Sequence, residues 1–192
     1  TAYGGSKLVA EKMHIAWQTK DIDNRRLVII RPGVVFGQGE GGNVSRLVKA
    51  LKKGYFFYMG NENTRKAGVY VKELCNSLAW VLEQQNSGVT LYNMSMNPSP
   101  TMEEYVETIN EVSGISRKPL KVPFSVLYPI SYVVDFFAKI AGVNQPISPV
   151  RLRKLVKSNN IVPKRLEELG YTPKYSLKTA MQDWKNDSPS EW

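Results

Sequence analysis

Tyr3 and Lys7 stand four residues apart in the segment Tyr3-Gly4-Gly5-Ser6-Lys7. On a helix that spacing puts both side chains on one face, one turn apart. A lysine ammonium so placed favours the phenolate and makes the tyrosine a usable proton donor or acceptor near neutral pH. With 10 tyrosines in the chain, about one such spacing arises by chance. The plain alternative is a helix with a packed tyrosine and a surface lysine. What surrounds the pair therefore decides its meaning.

A helix is expected from Gly5 to Lys20, with Leu8, Val9, Met13, Ala16 and Trp17 as its apolar stripe. Leu27-Val28-Ile29-Ile30 is a continuous apolar run, as in a strand buried on both faces of a parallel sheet. Arg31-Pro32-Gly33 ends it, because proline cannot donate to a ladder and glycine frees the backbone. A glycine-rich loop, Gly37 to Gly42, leads to a helix from Val44 to Lys53. Strands over 55–59 and 68–71 flank the polar turn at 60–63 and suggest a hairpin. A helix over 72–85 and a strand over 89–93 follow. Thr101-Met102-Glu103-Glu104 has capping-box spacing, with Gly114 beyond the helix it opens. The apolar stretch from Phe124 to Ala141 is interrupted by Pro129, Asp135 and Lys139, and is shorter than a spanning helix requires. It reads as a buried or substrate-covering helix pair. Arg151, Arg153, Lys154 and Lys157 then fall on a helix, Pro163 opens the next, and a last one covers 177–184.

The 192 residues can bury one good core, or one domain with a small annex. The single Cys75 excludes an internal disulfide and suits a reducing compartment, so a cytoplasmic setting is expected. No charged-then-apolar leader opens the sequence. Its first residue is Thr1, so a fragment, a processed chain or a trimmed one is expected. A net charge of +9 suits phosphate-bearing ligands, nucleic acid or an anionic membrane surface. An acidic half elsewhere in a longer protein would balance it equally well. His14, the only histidine, has no neighbours at metal-ligand spacing and reads as a helix-surface or interface residue. No metal is expected.

Five blocks in order change the standing of the tyrosine–lysine pair: YGGSKLVAEK, LVIIRPGVVFG, NTRKAGVYVKELCNSLAWVLE, YNMSMNPSPTMEEYVETI and LEELGYTPKYSLKTAMQDW. Their succession resembles the C-terminal half of the extended short-chain dehydrogenase/reductase family, which includes NAD-dependent nucleotide-sugar epimerases and dehydratases. The resemblance implies an α/β fold: the C-terminal part of a doubly wound Rossmann-type parallel sheet plus a small, mostly helical substrate-binding lobe. Residues 1–42 and about 68–96 would form the sheet with its flanking helices, and about 43–67 and 97–192 the lobe. Tyr3 matches the catalytic tyrosine, and Lys7 the lysine that also holds the nicotinamide ribose. Pro32, Gly33, Val34 and Val35 match the loop beside the nicotinamide ring. Asn43 matches a substrate-diphosphate contact. Arg65 and Lys66 fall where a basic phosphate contact is placed, with spacing that departs from the commoner Arg-Asp-Phe form. Arg46 and Arg151 are weaker candidates of the same kind. NAD or NADP would be the cofactor, and a homodimer could form through the helix carrying Tyr3 and Lys7.

The family's dinucleotide fingerprint should precede that helix. The only comparable glycines, Gly37 to Gly42, lie downstream of it, so that loop is not the fingerprint. The serine or threonine that assists the tyrosine would also lie upstream. The expectation is a C-terminal half that binds NAD(P) poorly and does not turn over alone, with an exposed sheet edge and apolar face. Three readings stay open. They are a nucleotide-sugar epimerase, dehydratase or reductase; a same-family enzyme for an apolar sterol or flavonoid; and a non-enzymatic basic module. The last lacks the aromatic-basic interleaving of an RNA surface, so no nucleic-acid partner is expected.

Overall fold

A computed structural model describes residues 2–84, 87–142 and 149–192, without the side chains of Lys139 and Arg151. Gln85, the expected end of one helix, and the Arg151 side chain thus lie outside the described residues. In order the elements are α1 (Ala2–Gln18), β1 (Arg26–Pro32), β2 (Val34–Phe36), α2 (Asn43–Lys53), β3 (Phe57–Met59), β4 (Gly68–Tyr70), α3 (Val71–Gln84) and β5 (Gly88–Met94). Then come α4 (Met102–Ser113), β6 (Leu120–Val122), α5 (Phe124–Ile140), α6 (Pro149–Leu155), α7 (Lys164–Glu168) and α8 (Leu177–Asp187), with a short 3-10 turn at Pro189–Glu191.

All three strand ladders are parallel: β1 with β5, β2 with β4, and β3 with β6. Parallel neighbours need long crossovers, and the intervening helices provide them. The hairpin expected over 55–71 does not form. Both of its strands pair elsewhere, β3 with the unanticipated strand β6 and β4 with β2. Among the described residues, β1 has β5 as its one ladder partner. Most of α1 stands in solvent, with Leu8, Val9, Met13 and Trp17 exposed.

The chain changes sheet partners at Gly33. The Gly33 amide donates to Met94 O of β5 at 2.8 Å, and the Val34 amide to Ala67 O at 2.8 Å. A Cβ at Gly33 would lie 2.7 Å from that Ala67 carbonyl oxygen. Close backbone packing therefore accounts for this glycine. Gly33→Ala is expected to lower stability by about 1–3 kcal/mol, read from the urea midpoint at unchanged slope. Past the switch, Val34 packs on one core and Val35 on the other, as strand alternation dictates.

The first core gathers Phe36, Val48, Tyr70, Tyr105, Ile109, Met181 and Trp184 between α2, α4 and α8. The second joins Val69, Val81, Tyr92 and Met94 to Leu166 and Tyr171. Glu73 on α3 is buried yet satisfied, accepting from the Tyr171 hydroxyl, Lys174 N at 2.9 Å and Tyr175 N at 2.8 Å. That carboxylate staples the Gly170-Tyr171-Thr172-Pro173 turn to the α/β layer. The capping box at Thr101 and Glu104 forms as expected, and Gly114 closes α4 in the left-handed conformation. The segment from Phe124 is one long helix with Pro129 inside it, mostly exposed, rather than a buried helix pair. Lys157 lies beyond the end of α6 rather than on it.

Candidate functional site

Tyr3 sits in the first turn of α1, 73% exposed. Helical spacing brings Lys7 back over it, with Nζ 5.5 Å from the centroid of the phenol ring. The Ser6 hydroxyl donates to Tyr3 O at 2.8 Å and leaves the phenol outside the helix's own bonding. The cation and the phenol thus form one exposed unit, open to a ligand from the solvent side.

A two-point clasp fixes this helix against the sheet. Arg31, one residue before Pro32, donates through Nε to Glu11 Oε1 at 2.9 Å and through Nη2 to Glu11 Oε2 at 2.5 Å. The guanidinium holds the Glu11 carboxyl below the usual carboxylate range. At the other end of α1, the Arg25 guanidinium lies 4.9 Å from the Trp17 ring, and Gln18 Nε2 donates to Arg25 O at 3.1 Å. Because α1 and β1 run in opposite senses, the Tyr3 turn is placed at the C-terminal end of the parallel strands. Pro32 is exposed there, with Gly33, Val34 and Val35 partly covered. Strand C-terminal ends are where open α/β sheets take their ligands.

The glycine loop is used internally. Glu40 folds onto the start of α2, where its Oε2 accepts from Ser45 N at 2.9 Å and Ser45 Oγ at 2.5 Å. A carboxylate thus occupies the helix end where a phosphate could have bound. Gly39 N donates to Glu191 Oε1 at 3.0 Å, which ties the loop to the chain's last residues. Asn43 is the first residue of α2 and exposed, with its Oδ1 accepting from Arg46 Nη2 at 3.3 Å.

Arg65 and Lys66, adjacent in sequence, separate in role. Lys66 Nζ donates to Leu155 O at 2.7 Å and Lys157 O at 2.8 Å, with Lys154 O at 3.4 Å. Three carbonyls match its three donors, and burial pushes the ammonium below the usual lysine range. Among the described residues Arg65 donates from its guanidinium through Nη1 alone, to Ser99 O at 2.6 Å. The rest of its fork stays open. Ser158 and Asn159 complete the arrangement: Arg65 N donates to Ser158 Oγ at 3.1 Å, and Ala67 N to Asn159 Oδ1 at 2.9 Å. Sequence reading missed both. The polar Ser158-Asn159-Asn160 run between two basic helices was the available signal.

The structure brings Tyr3 and Lys7 together and clasps their helix to the strand that leads into Pro32 and Gly33. Among the described residues no side-chain contact joins Asn43 or Arg65 to them. His14 lies exposed, its Nδ1 2.7 Å from Ala10 O, and among the described residues no cluster could hold a metal. A cavity of about 430 Å³ lies between Glu73, Met94 to Pro98, Glu104 and Tyr175, and contains none of the candidate residues.

The family model described as "NAD dependent epimerase/dehydratase family" matches residues 1–95. The N-acetyl-alpha-D-glucosaminyl-diphospho-ditrans,octacis-undecaprenol 4-epimerase of Escherichia coli O157:H7 is 27% identical over 93% of this chain and 54% of its own length. A sterol-4-alpha-carboxylate 3-dehydrogenase (decarboxylating) of Candida albicans is 29% identical, over 96% of this chain and 56% of its own length. The chain therefore spans about half the length of the curated relatives it matches. Among solved structures, UDP-N-acetylglucosamine 4-epimerase from Bacillus cereus superposes with a TM-score of 0.67 at 17% identity, over 97% of this chain and 53% of that one. The dTDP-glucose 4,6-dehydratase of Bacillus anthracis, solved with NAD, gives 0.62 at 18% identity, over all of this chain and 54% of its own. The family match over residues 1–95, which carry β1 to β5, and relatives aligned along nine-tenths of this chain make it similar to the NAD-dependent epimerase/dehydratase family.

Proposed function

We propose that this chain is the substrate-side part of an NAD(P)-dependent epimerase, dehydratase or reductase acting on a nucleotide- or diphosphate-linked sugar. The observation that carries this is Tyr3 and Lys7 held as one unit, on a helix clasped by Glu11 and Arg31 to the strand ending in Pro32 and Gly33. Tyr3 exchanges a proton with a sugar hydroxyl or carbonyl, and Lys7 supplies the neighbouring charge and donors for ribose hydroxyls. Pro32 to Val35 form the wall beside them. NAD or NADP, when bound, supplies the hydride chemistry.

The residues present fit the nicotinamide-ribose end of such a cofactor. Among the described residues the glycine-rich strand–loop–helix unit does not fit its pyrophosphate, since Glu40 lies across its helix end. The 192 residues alone are therefore expected to show no tight binding of NADH. A fluorescence titration of this chain with a stoichiometric endpoint would overturn that reading.

For the substrate diphosphate, Arg65 is the better-placed of the two cations, because Lys66 is spent on the end of α6. Asn43, beside Arg46, remains a second contact. In the natural protein, Arg65→Ala is expected to raise KM for the sugar nucleotide about tenfold or more, as loss of a charged hydrogen bond does. Lys66→Met should leave KM within about threefold and lower the melting temperature instead. The reverse pattern would reassign the contact. The expected homodimer finds support in the exposed Leu8, Val9, Met13 and Trp17 of α1. The second reading, an apolar sterol-type substrate, is favoured by the Candida relative. Turnover of sterols and not of UDP-sugars by the natural protein would establish it in place of the first.

A further inference from the structure

We propose that α5 and α6 form a surface that docks in the plane of an anionic lipid bilayer. α5 faces the protein through Ser131, which is fully buried, and through the partly covered Leu127 and Ala138. Its opposite face, read at 3.6 residues per turn, consists of Val126, Pro129, Ile130, Val133, Phe136, Phe137 and Ile140. All seven are exposed, and Phe136, Phe137 and Ile140 are 61%, 62% and 69% open to solvent. A wholly apolar outward face on a helix of 17 residues, about 25 Å long, is far more than a soluble surface usually leaves uncovered.

The flank of this face has the chemistry of a membrane interface. The Tyr128 and Tyr132 hydroxyls pair at 2.9 Å, and the Arg153 guanidinium of α6 lies 5.0 Å from the Tyr128 ring and donates to its hydroxyl. Tyrosines with a polar tip and an apolar body settle at headgroup depth, and arginine beside them meets lipid phosphate. α6 itself exposes Val150 and Leu155 together with Arg153 and Lys154.

Charge selects the occupant. From Phe124 to Lys157 the sequence holds five lysines and arginines against Asp135 alone, so this stretch is distinctly cationic. A second copy docked on the same face would bring two such cationic segments together, which costs energy, whereas an anionic lipid surface neutralises them. Among the described residues no helix is long and apolar enough to cross a membrane, so α5 lies along the surface rather than through it. This inference stands independently of the reaction proposed above.

The test is flotation of the purified natural protein with phosphatidylcholine vesicles containing about one third phosphatidylglycerol, against phosphatidylcholine alone. Binding is expected to the anionic vesicles and to fall at least about tenfold on pure phosphatidylcholine or at high salt. The exposed-site variants Phe136→Ser with Phe137→Ser, and Lys154→Glu with Lys157→Glu, should each lower binding about tenfold or more. Their far-ultraviolet circular dichroism should be unchanged, since none of the four side chains is buried. No binding to either vesicle, or binding indifferent to the phenylalanine pair, would overturn the proposal. So would a dimer in sedimentation that the phenylalanine pair dissolves without any vesicle binding, for that would make this face an interface between copies.

Discussion

Under the proposed reaction, Tyr3→Phe in the natural protein is expected to lower kcat by about 10²–10⁴-fold while KM for the proposed sugar-nucleotide substrate stays within about threefold. That loss corresponds to about 3–5 kcal/mol of transition-state stabilisation. The variant removes one oxygen from a side chain that is 73% exposed, so no cavity and no broken core accompany it. The ring remains for the Lys7 ammonium to face. A fall in kcat with unchanged melting temperature therefore isolates proton transfer from folding. Lys7→Met should also lower kcat, and it should raise the KM for the dinucleotide as well, because lysine is assigned both the charge beside the phenol and the ribose contact. Tyr3→Phe with kcat intact would remove the proton-transfer role from this residue.

Trp184→Ala is expected to cost about 3–5 kcal/mol of unfolding free energy, a large fraction of the roughly 5–15 kcal/mol by which a domain is stable. Trp184 is fully buried, with Phe36 at 6.3 Å and Trp192 at 5.1 Å between ring centroids. Truncation leaves a cavity in the first core, and the surrounding helices can collapse into it only partly. It also releases Glu191, whose Oε2 accepts from the indole at 2.7 Å while its Oε1 holds Gly39 N. The glycine loop should loosen along with the core. Trp184→Phe keeps most of the volume and loses the indole donor, so it should cost much less than the alanine variant. Urea unfolding of the two variants separates the cavity contribution from the hydrogen bond. Equal, small losses for both would show that this cluster does not carry the fold.

Local devices were legible because their causes are close in the chain. The Thr101–Glu104 box needs four consecutive residues, the buried strand at 27–30 needs an apolar run, and Tyr3 with Lys7 needs one helical turn. The hairpin expected around residues 60–63 failed for a different reason. A short strand carries no mark of its partner, and parallel pairing connects segments far apart, as in Phe57 with Leu120. The strand Leu120–Val122 was overlooked because three residues give too little alternation to recognise. At the site, Arg65 and Lys66 looked equivalent as neighbouring cations. Their difference comes from residues about ninety positions away, the carbonyls at the end of α6.

By itself the sequence determined the tyrosine–lysine spacing and the alternation of helix and strand signals, since each rests on residue type and short spacing, and the order of its blocks carried the resemblance that implied the α/β class. Tertiary structure alone decided which cation stays open, that Glu40 fills the end of α2, and that the apolar side of α5 turns outward. Those outcomes depend on which surfaces meet after the chain has crossed over itself. Composition and spacing hold no record of that until packing has assigned every helix its buried side.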